Sequence, residues 1–372
     1  MKNSVIPDSV HFGPDSVDEL PELLRKSGTK VLLVHGHRPV EDGLLVKIRL
    51  ILNQAGFPHA DLGQILPNPK YDSVKRGIKK ARKEHCDIVL SLGGGSTLQC
   101  AKAIALGMGY KGDVWDFWTG KKTPKKVYPI GAILTIPSSG AELSDSCTIV
   151  RKGERKTIRL EKLVCSFAVL DPKLSLYPLY PTMNQVFTIF QHLFFAALEK
   201  EGQPHEDALS LMQDLTACSK ALKENINDVE ARTELYRIGL LTHIQTGKVT
   251  ENFKDLASSL AFAFSLPDGS AESALFGAWL DAMHESRQQK AEGILRQVFA
   301  GNAESAAGTP SGWQMMSAWL QDLNLPKNLE QAGLELSRKR LLAIAKDDLQ
   351  KQVLTAAAHA SKKAAEQTGQ KS

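Results

Sequence analysis

A short apolar run, Asp87-Ile88-Val89-Leu90-Ser91-Leu92, ends in Gly93-Gly94-Gly95-Ser96. An alanine-rich segment suited to a helix, Thr97-Leu98-Gln99-Cys100-Ala101-Lys102-Ala103-Ile104-Ala105, follows at once. The stretch parses as strand, tight turn and helix. Glycines without Cβ let backbone N–H groups approach an anion, Ser96 offers a hydroxyl, and a helix start adds a positive dipole end. Taken alone, the pattern fits a phosphate site and an ordinary strand-to-helix turn equally well, so the flanking sequence must decide.

Residues 10–13 begin a short strand, and residues 16–27 form an amphipathic helix with Val17, Leu20, Leu23 and Leu24 on one face. Residues 30–35 are a continuous apolar strand of the kind buried on both faces, ending at Gly36. A helix over 43–55, a strand over 57–65 and a helix over 71–85 lead to the strand before the glycine turn. Residues 128–137 supply a further strand, which ends in Thr135-Ile136-Pro137-Ser138-Ser139-Gly140. This second turn is rich in hydroxyls and able to close over a nucleotide, although Ser138 and Ser139 fit equally as plain turn formers. Residues 147–170 read as a hairpin or two short strands with a basic tip. The alternation predicts an α/β domain built on a doubly wound parallel sheet, whose ligand crevice lies beyond the carboxyl ends of the strands, where Gly36 and Gly93 sit.

Beyond Tyr180 glycine turns thin out and helical patterns take over, at 182–200, 205–225, 230–246, 253–264, 271–285, 290–299, 309–323, 329–336, 338–345 and 349–368. The predicted organisation is an α/β dinucleotide-binding domain over residues 1–180 and an all-helical domain over residues 181–372.

The 46 basic and 41 acidic residues leave a net charge of +5. Basic clusters within 75–83, 121–126 and 151–162 read as solvated surface or as faces toward an anionic ligand. Aromatic residues make up 6% of the chain, too few for a base-stacking surface, so no nucleic-acid partner is expected. Five cysteines share no CxxC spacing, which indicates neither a disulfide framework nor a zinc ribbon and fits a reducing cytoplasm. Residues 1–14 lack an apolar signal core, and no run approaches the roughly 18 apolar residues of a membrane helix. A soluble, cytoplasmic protein with no membrane partner is expected.

Four segments together resemble the iron-containing (group III) alcohol dehydrogenases. They are Gly93-Gly94-Gly95-Ser96 before Ala101-Lys102-Ala103-Ile104-Ala105; Gly112-Asp113-Val114-Trp115-Asp116-Phe117-Trp118-Thr119-Gly120-Lys121; Thr135-Ile136-Pro137-Ser138-Ser139-Gly140-Ala141-Glu142; and Leu170-Asp171-Pro172. Within that family the chain is similar to the butanol dehydrogenase and NADPH-dependent aldehyde reductase branch. The resemblance is specific across residues 10–195 and traceable to about residue 290. It implies the dehydroquinate synthase-like fold, a nucleotide-binding α/β domain followed by a helical domain, a cleft between them, a homodimer and a small alcohol or aldehyde substrate. It also implies hydride exchange with a nicotinamide, assisted by a divalent ion that one Asp and three His hold as a Lewis acid.

The resemblance carries Gly94, Gly95 and Ser96 onto the pyrophosphate turn, and Thr135 with Ser138 onto the second turn. Gln99 stands where the family usually has an aspartate. After the first strand, Gly36-His37-Arg38-Pro39 replaces a glycine-rich turn; proline removes an N–H, and two large side chains restrict close approach. Arg38 reads either as a fork for a 2′-phosphate, hence NADP(H) with NAD(H) as the lesser expectation, or as a solvated loop arginine.

The metal pattern is where the chain departs most. The family's first two ligands, Asp and His four apart on one helix face, map to Thr188 and His192. The third and fourth, histidines fourteen apart, map to Lys254 and Asp268. A hydroxyl, one imidazole, one carboxylate and an ammonium do not make a divalent-cation site, so no catalytic metal is expected. Two readings follow. In one, an oxidoreductase works without metal, with Lys254 polarising a carbonyl, His192 donating a proton and Asp268 holding the lysine. In the other, the fold survives as a nucleotide-binding or protein-interaction scaffold and His192 is a packed remnant among Phe187, Phe190, Phe194 and Phe195. A phosphate-eliminating cyclase related to the dehydroquinate synthases needs a metal and is disfavoured by the same losses.

Overall fold

The computed structural model describes residues 6–137, 140–175, 177–246, 252–301, 309–334 and 338–368. The chain divides into two compact units, Met1–Tyr177 and Pro178–Ser372.

The first unit is built on strands β1 (Val10–Phe12), β2 (Val31–His35), β3 (His59–Leu62), β4 (Ile88–Gly93) and β5 (Ile130–Leu134), the hairpin β6 (Ser146–Arg151) and β7 (Glu154–Arg159), and β8 (Phe167–Leu170). Its helices are α1 (Leu20–Ser27), α2 (Arg38–Glu41), α3 (Leu44–Gln54), α4 (Tyr71–Lys83), α5 (Gly95–Met108) and α6 (Trp115–Trp118). Six strands form one sheet in the order β1-β8-β5-β4-β2-β3, and every pairing in it is parallel. The apolar runs of β2, β4 and β5 are buried along their whole length because helices cover both faces. One face packs Leu33, Leu90 and Ile133 against Leu20, Leu24, Ile48 and Leu52 of α1 and α3. The helices α4 and α5 lie unusually close. A Cβ on Gly77 would stand 2.3 Å from Ile104 Cδ1, and one on Gly107 would stand 2.2 Å from Ile78 Cδ1.

The strand order also fixes where a ligand belongs. The chain passes from β2 outward to β3 and then returns to β4 on the other side of β2. The reversal between β2 and β4 opens a crevice at their carboxyl ends.

The second unit contains α7 (Leu179–Glu199), α8 (Gln203–Glu224), α9 (Val229–Thr246), α10 (Asn252–Phe264), α11 (Asp268–Asp281), α12 (Glu285–Ala300), α13 (Gly312–Asp322), α14 (Arg338–Leu342) and α15 (Asp348–Thr368). Its core gathers around α7, whose Phe187, Phe190 and Phe194 are fully buried. Phe276 of α11 meets Phe194 at a centroid distance of 5.0 Å, and Trp319 of α13 meets Phe190 at 4.9 Å.

Two local expectations are corrected. Residues 38–41 form the short helix α2 rather than a loop: Pro39 occupies its first turn, where a missing N–H costs nothing. The helix expected over 329–336 is instead a set of turns through residue 333. Gly333 lies at φ +74 and Leu334 N–H returns to Leu329 O, which closes a single turn rather than propagating one; residues 335–336 lie outside the described residues. The segment 147–170, read as a hairpin or two short strands, is an antiparallel hairpin followed by a strand of the main sheet.

Candidate functional site

In the first unit, three turns converge at the carboxyl ends of β2, β4 and β5. His35 at the end of β2 is in register with Leu92 of β4, so Gly36 and Gly93 emerge side by side. Gly93 adopts φ +150, and a Cβ there would lie 2.8 Å from Thr97 Oγ1, so glycine is required by both conformation and space. Gly94 precedes α5 with extended geometry, and α5 starts at Gly95, over which nothing lies within 4 Å of the Cβ position. The first turn of a helix leaves its N–H groups without intrahelical partners, the donors an oxyanion needs. Gly36 is less constrained: the nearest atoms to a Cβ there are Ile65 O at 3.4 Å and Thr97 Oγ1 at 3.7 Å.

Thr135, buried at the end of β5, donates its N–H to Gly93 O at 3.2 Å and so ties the second turn to the first. Its Oγ1 donates to the Tyr177 hydroxyl at 3.5 Å. Ser138 lies outside the described residues. Gln99, the departure from the family aspartate, takes the Thr148 N–H on its Oε1 at 2.8 Å.

Arg38 is neither an open fork nor a solvated loop residue. Its Nε–H donates to Asp42 Oδ2 at 2.8 Å, one turn away, and its guanidinium lies over the Tyr177 ring, 5.5 Å from the centroid. Tyr177 thus touches both Thr135 and Arg38. Burial raises the Tyr177 phenol above its ordinary pKa, so it serves as a neutral hydroxyl.

In the second unit, Thr188 and His192 sit four apart on α7, as their spacing demands. Helical geometry turns them about 100–140° from Phe187. His192 is half-buried on α7, three residues before the buried Phe195. Lys254, on α10, and Asp268, the first residue of α11, are both exposed.

The residue that links these positions escaped sequence reasoning. Glu272, one turn beyond Asp268 on α11, is 3% exposed, and its Oε2 accepts a 2.8 Å hydrogen bond from Thr188 Oγ1. Burial pushes the Glu272 carboxyl up to about 7. The neighbouring Asp268 charge adds to this, while the Thr188 bond and the Lys254 charge oppose it. Lys254, Asp268, Glu272 and Thr188 therefore act on one another electrostatically. The i,i+4 spacing of Asp268 and Glu272 was readable in the sequence; the pairing with Thr188 across 84 residues was not.

These side chains do not fit a divalent ion. Thr188 is a neutral hydroxyl already bonded to Glu272, Lys254 is a cation, and Asp268 and Glu272 are two carboxylates whose proximity raises the proton affinity of Glu272. Among the described residues no group of three or more His, Cys, Asp or Glu side chains is arranged to hold a metal. Among them, too, no helix is long and apolar enough to cross a membrane.

Comparison with known proteins supplies a second line of information. Residues 7–172 match the profile of the iron-containing alcohol dehydrogenases, and residues 184–367 match the C-terminal profile of the Fe-containing alcohol dehydrogenase family. The chain is 27% identical over 364 residues to a probable NADH-dependent butanol dehydrogenase 1 of Bacillus subtilis, covering 91% of each chain. It is 31% identical over 237 residues to NADH-dependent butanol dehydrogenase A of Clostridium acetobutylicum, covering 62% of this chain and 61% of the relative. In fold it is similar to the crystal structure of an NADH-dependent butanol dehydrogenase A from Thermotoga maritima. That likeness has a TM-score of 0.85 at 21% identity, over 96% of this chain and 99% of the other. The aldehyde reductase YqhD from E. coli gives a TM-score of 0.80 at 20% identity, over 95% and 98%.

Proposed function

This chain belongs to the iron-containing alcohol dehydrogenase family, and on that premise we propose that it exchanges hydride between NAD(H) and an alcohol or aldehyde without a catalytic metal ion. The observation that carries the metal-free reading is the Thr188–Glu272 hydrogen bond, which commits the first ligand position of the family to a partner inside the protein. The relatives are named as dehydrogenases and a reductase, which gives the scaffold alternative no support.

The nucleotide fits the residues present. Backbone N–H groups of Gly94, Gly95 and Ser96 would hold its pyrophosphate, with Gly36 permitting approach and Thr135 bounding the second side. The cofactor we assign is NAD(H) rather than the NADP(H) suggested by Arg38 in the sequence. Asp42 neutralises Arg38 and presents a carboxylate suited to a ribose 2′-hydroxyl, whereas a 2′-phosphate there meets like charge. Two relatives are named for NADH, in the same direction.

When bound, the nicotinamide supplies or accepts the hydride. The protein's part is electrostatic. The Lys254 ammonium donates to the substrate carbonyl oxygen and stabilises the negative charge that grows there, in place of an ion. His192 delivers a proton to that oxygen, and Asp268 orients the lysine. Read in reverse, the same groups accept the alcohol proton. Two relatives are named as butanol dehydrogenases, which supports aliphatic alcohols and the corresponding aldehydes as the substrate class.

The test is NADH consumption by the purified full-length protein with a series of straight-chain aldehydes, beside fluorescence titration of NADH. Turnover with saturable NADH binding supports the reading. Absence of both nucleotide binding and turnover rejects it in favour of a scaffold.

A further inference from the structure

We infer that Lys102 is a positioning residue for nucleotide binding, fastening the second turn of the site to the helix that carries the first. The inference rests on the nucleotide reading above and adds a residue that touches neither nucleotide nor substrate. Lys102 is fully buried in α5, two helical turns beyond Gly95. Its ammonium donates to three backbone carbonyls, Ala141 O at 2.9 Å, Ser144 O at 2.6 Å and Ser146 O at 3.5 Å. An ammonium has three donors, and here all three go to one loop.

That loop continues from the second turn. Upstream, Thr135 N–H is held by Gly93 O, the last residue of β4. Downstream, Ala141 is held by Lys102. Both anchors belong to the same strand-turn-helix stretch, β4 and α5. Gln99, one turn before Lys102, extends the seam by accepting from Thr148 N, while its carbonyl accepts from Cys147 Sγ at 3.3 Å.

A buried lysine is a costly way to fill space. Apolar side chains of the same volume pack without desolvating a charge, and Lys102 makes no ion pair within salt-bridge distance among the described residues. What the ammonium supplies and a methionine cannot is a single geometry for three carbonyls. Removing it takes away the one group that ties these three carbonyls to α5 and loosens the loop, so nucleotide has to order the loop on binding, and affinity falls accordingly. The hydride step, once nucleotide is seated, is untouched.

The experiment compares full-length wild type with Lys102→Met. NADH affinity is read by fluorescence, KM for NADH and kcat by aldehyde reduction, and folding by thermal melting. The expected result is a rise in KM and Kd for NADH of roughly tenfold or more with kcat changed less than about threefold; a purely structural lysine would lower the melting temperature and leave the KM-to-kcat balance alone. An independent readout uses wild type only: without nucleotide, the amides of residues 141–146 should already exchange hydrogen slowly, and exchange at free-loop rates overturns the anchoring even if the variant does not fold. Wild type that binds NADH together with a variant that binds it equally well overturns this inference alone. Wild type that binds no nucleotide overturns the functional reading and this inference with it.

Discussion

The hydroxyl of Thr188 on α7 donates a 2.8 Å hydrogen bond to the buried carboxylate of Glu272 on α11. Thr188 stands where the family resemblance expects a ligand aspartate, and in the proposed metal-free reading its hydroxyl is taken by a partner inside the protein. Burial raises the proton affinity of the Glu272 carboxyl, and the neighbouring Asp268 charge adds to it.

Removing that bond should be felt in stability. Thr188→Val leaves the Glu272 Oε2 without its hydroxyl donor in a sealed site, and a buried unsatisfied acceptor costs about 1–3 kcal/mol. Urea unfolding should show this loss; a variant as stable as wild type would mean that Glu272 finds another donor.

Lys254 carries the electrophilic role in this account. Lys254→Met should lower kcat for aldehyde reduction by about 10²–10³-fold, the scale of losing one preorganised oxyanion donor, with NADH affinity unchanged. Lys254 is exposed on α10, so the substitution should leave thermal stability almost unaltered. A variant with wild-type kcat would place the lysine on the surface only.

Cofactor choice follows from Arg38 and Asp42. A charge-assisted bond from Asp42 to the ribose 2′-hydroxyl is worth about 1.5–3 kcal/mol, so NADH should bind roughly ten- to a hundredfold more tightly than NADPH. Asp42→Ala should narrow or invert that ratio by freeing Arg38. Tighter binding of NADPH by wild type would restore the fork reading of Arg38.

Much of this arrangement was legible in the sequence, and the limits of legibility have physical causes. The strand before Gly93 and the helix after it announce themselves because a run buried on both faces must be apolar throughout and because the turn needs φ +150 at Gly93. The family's ligand positions could also be mapped onto Thr188, His192, Lys254 and Asp268 from the sequence, the first two standing four apart on one helix. Glu272 was invisible because its meaning comes from a partner on another helix. Arg38 stayed open between two readings because Pro39 looks like a loop former, and only the fold shows it opening a helical turn in which Asp42 accepts from the arginine. Tyr177, which joins Arg38 to Thr135, follows the last strand with no pattern around it to mark it.

A second buried carboxyl gives a pH signature. Glu142 is fully buried near Lys102, its Oε2 has no hydrogen-bond partner among the described residues, and burial lifts its pKa to about 7 from an ordinary 4.5. Because the folded-state pKa lies above the unfolded one, the folded state holds more protons between pH 4.5 and 7. Stability should therefore fall as pH rises through that window and level off above it, by an amount on the order of 3 kcal/mol. In Glu142→Gln this component disappears, so the difference between the two stability-versus-pH curves isolates it. Parallel curves would contradict the assignment.

The most direct measurement combines elemental analysis with turnover on one sample: protein dialysed against a strong chelator, assayed for NADH-dependent aldehyde reduction, and analysed for bound metals. The account predicts an unchanged rate at far less than one metal ion per chain. Loss of activity with the metal, regained on adding a divalent cation, would contradict it.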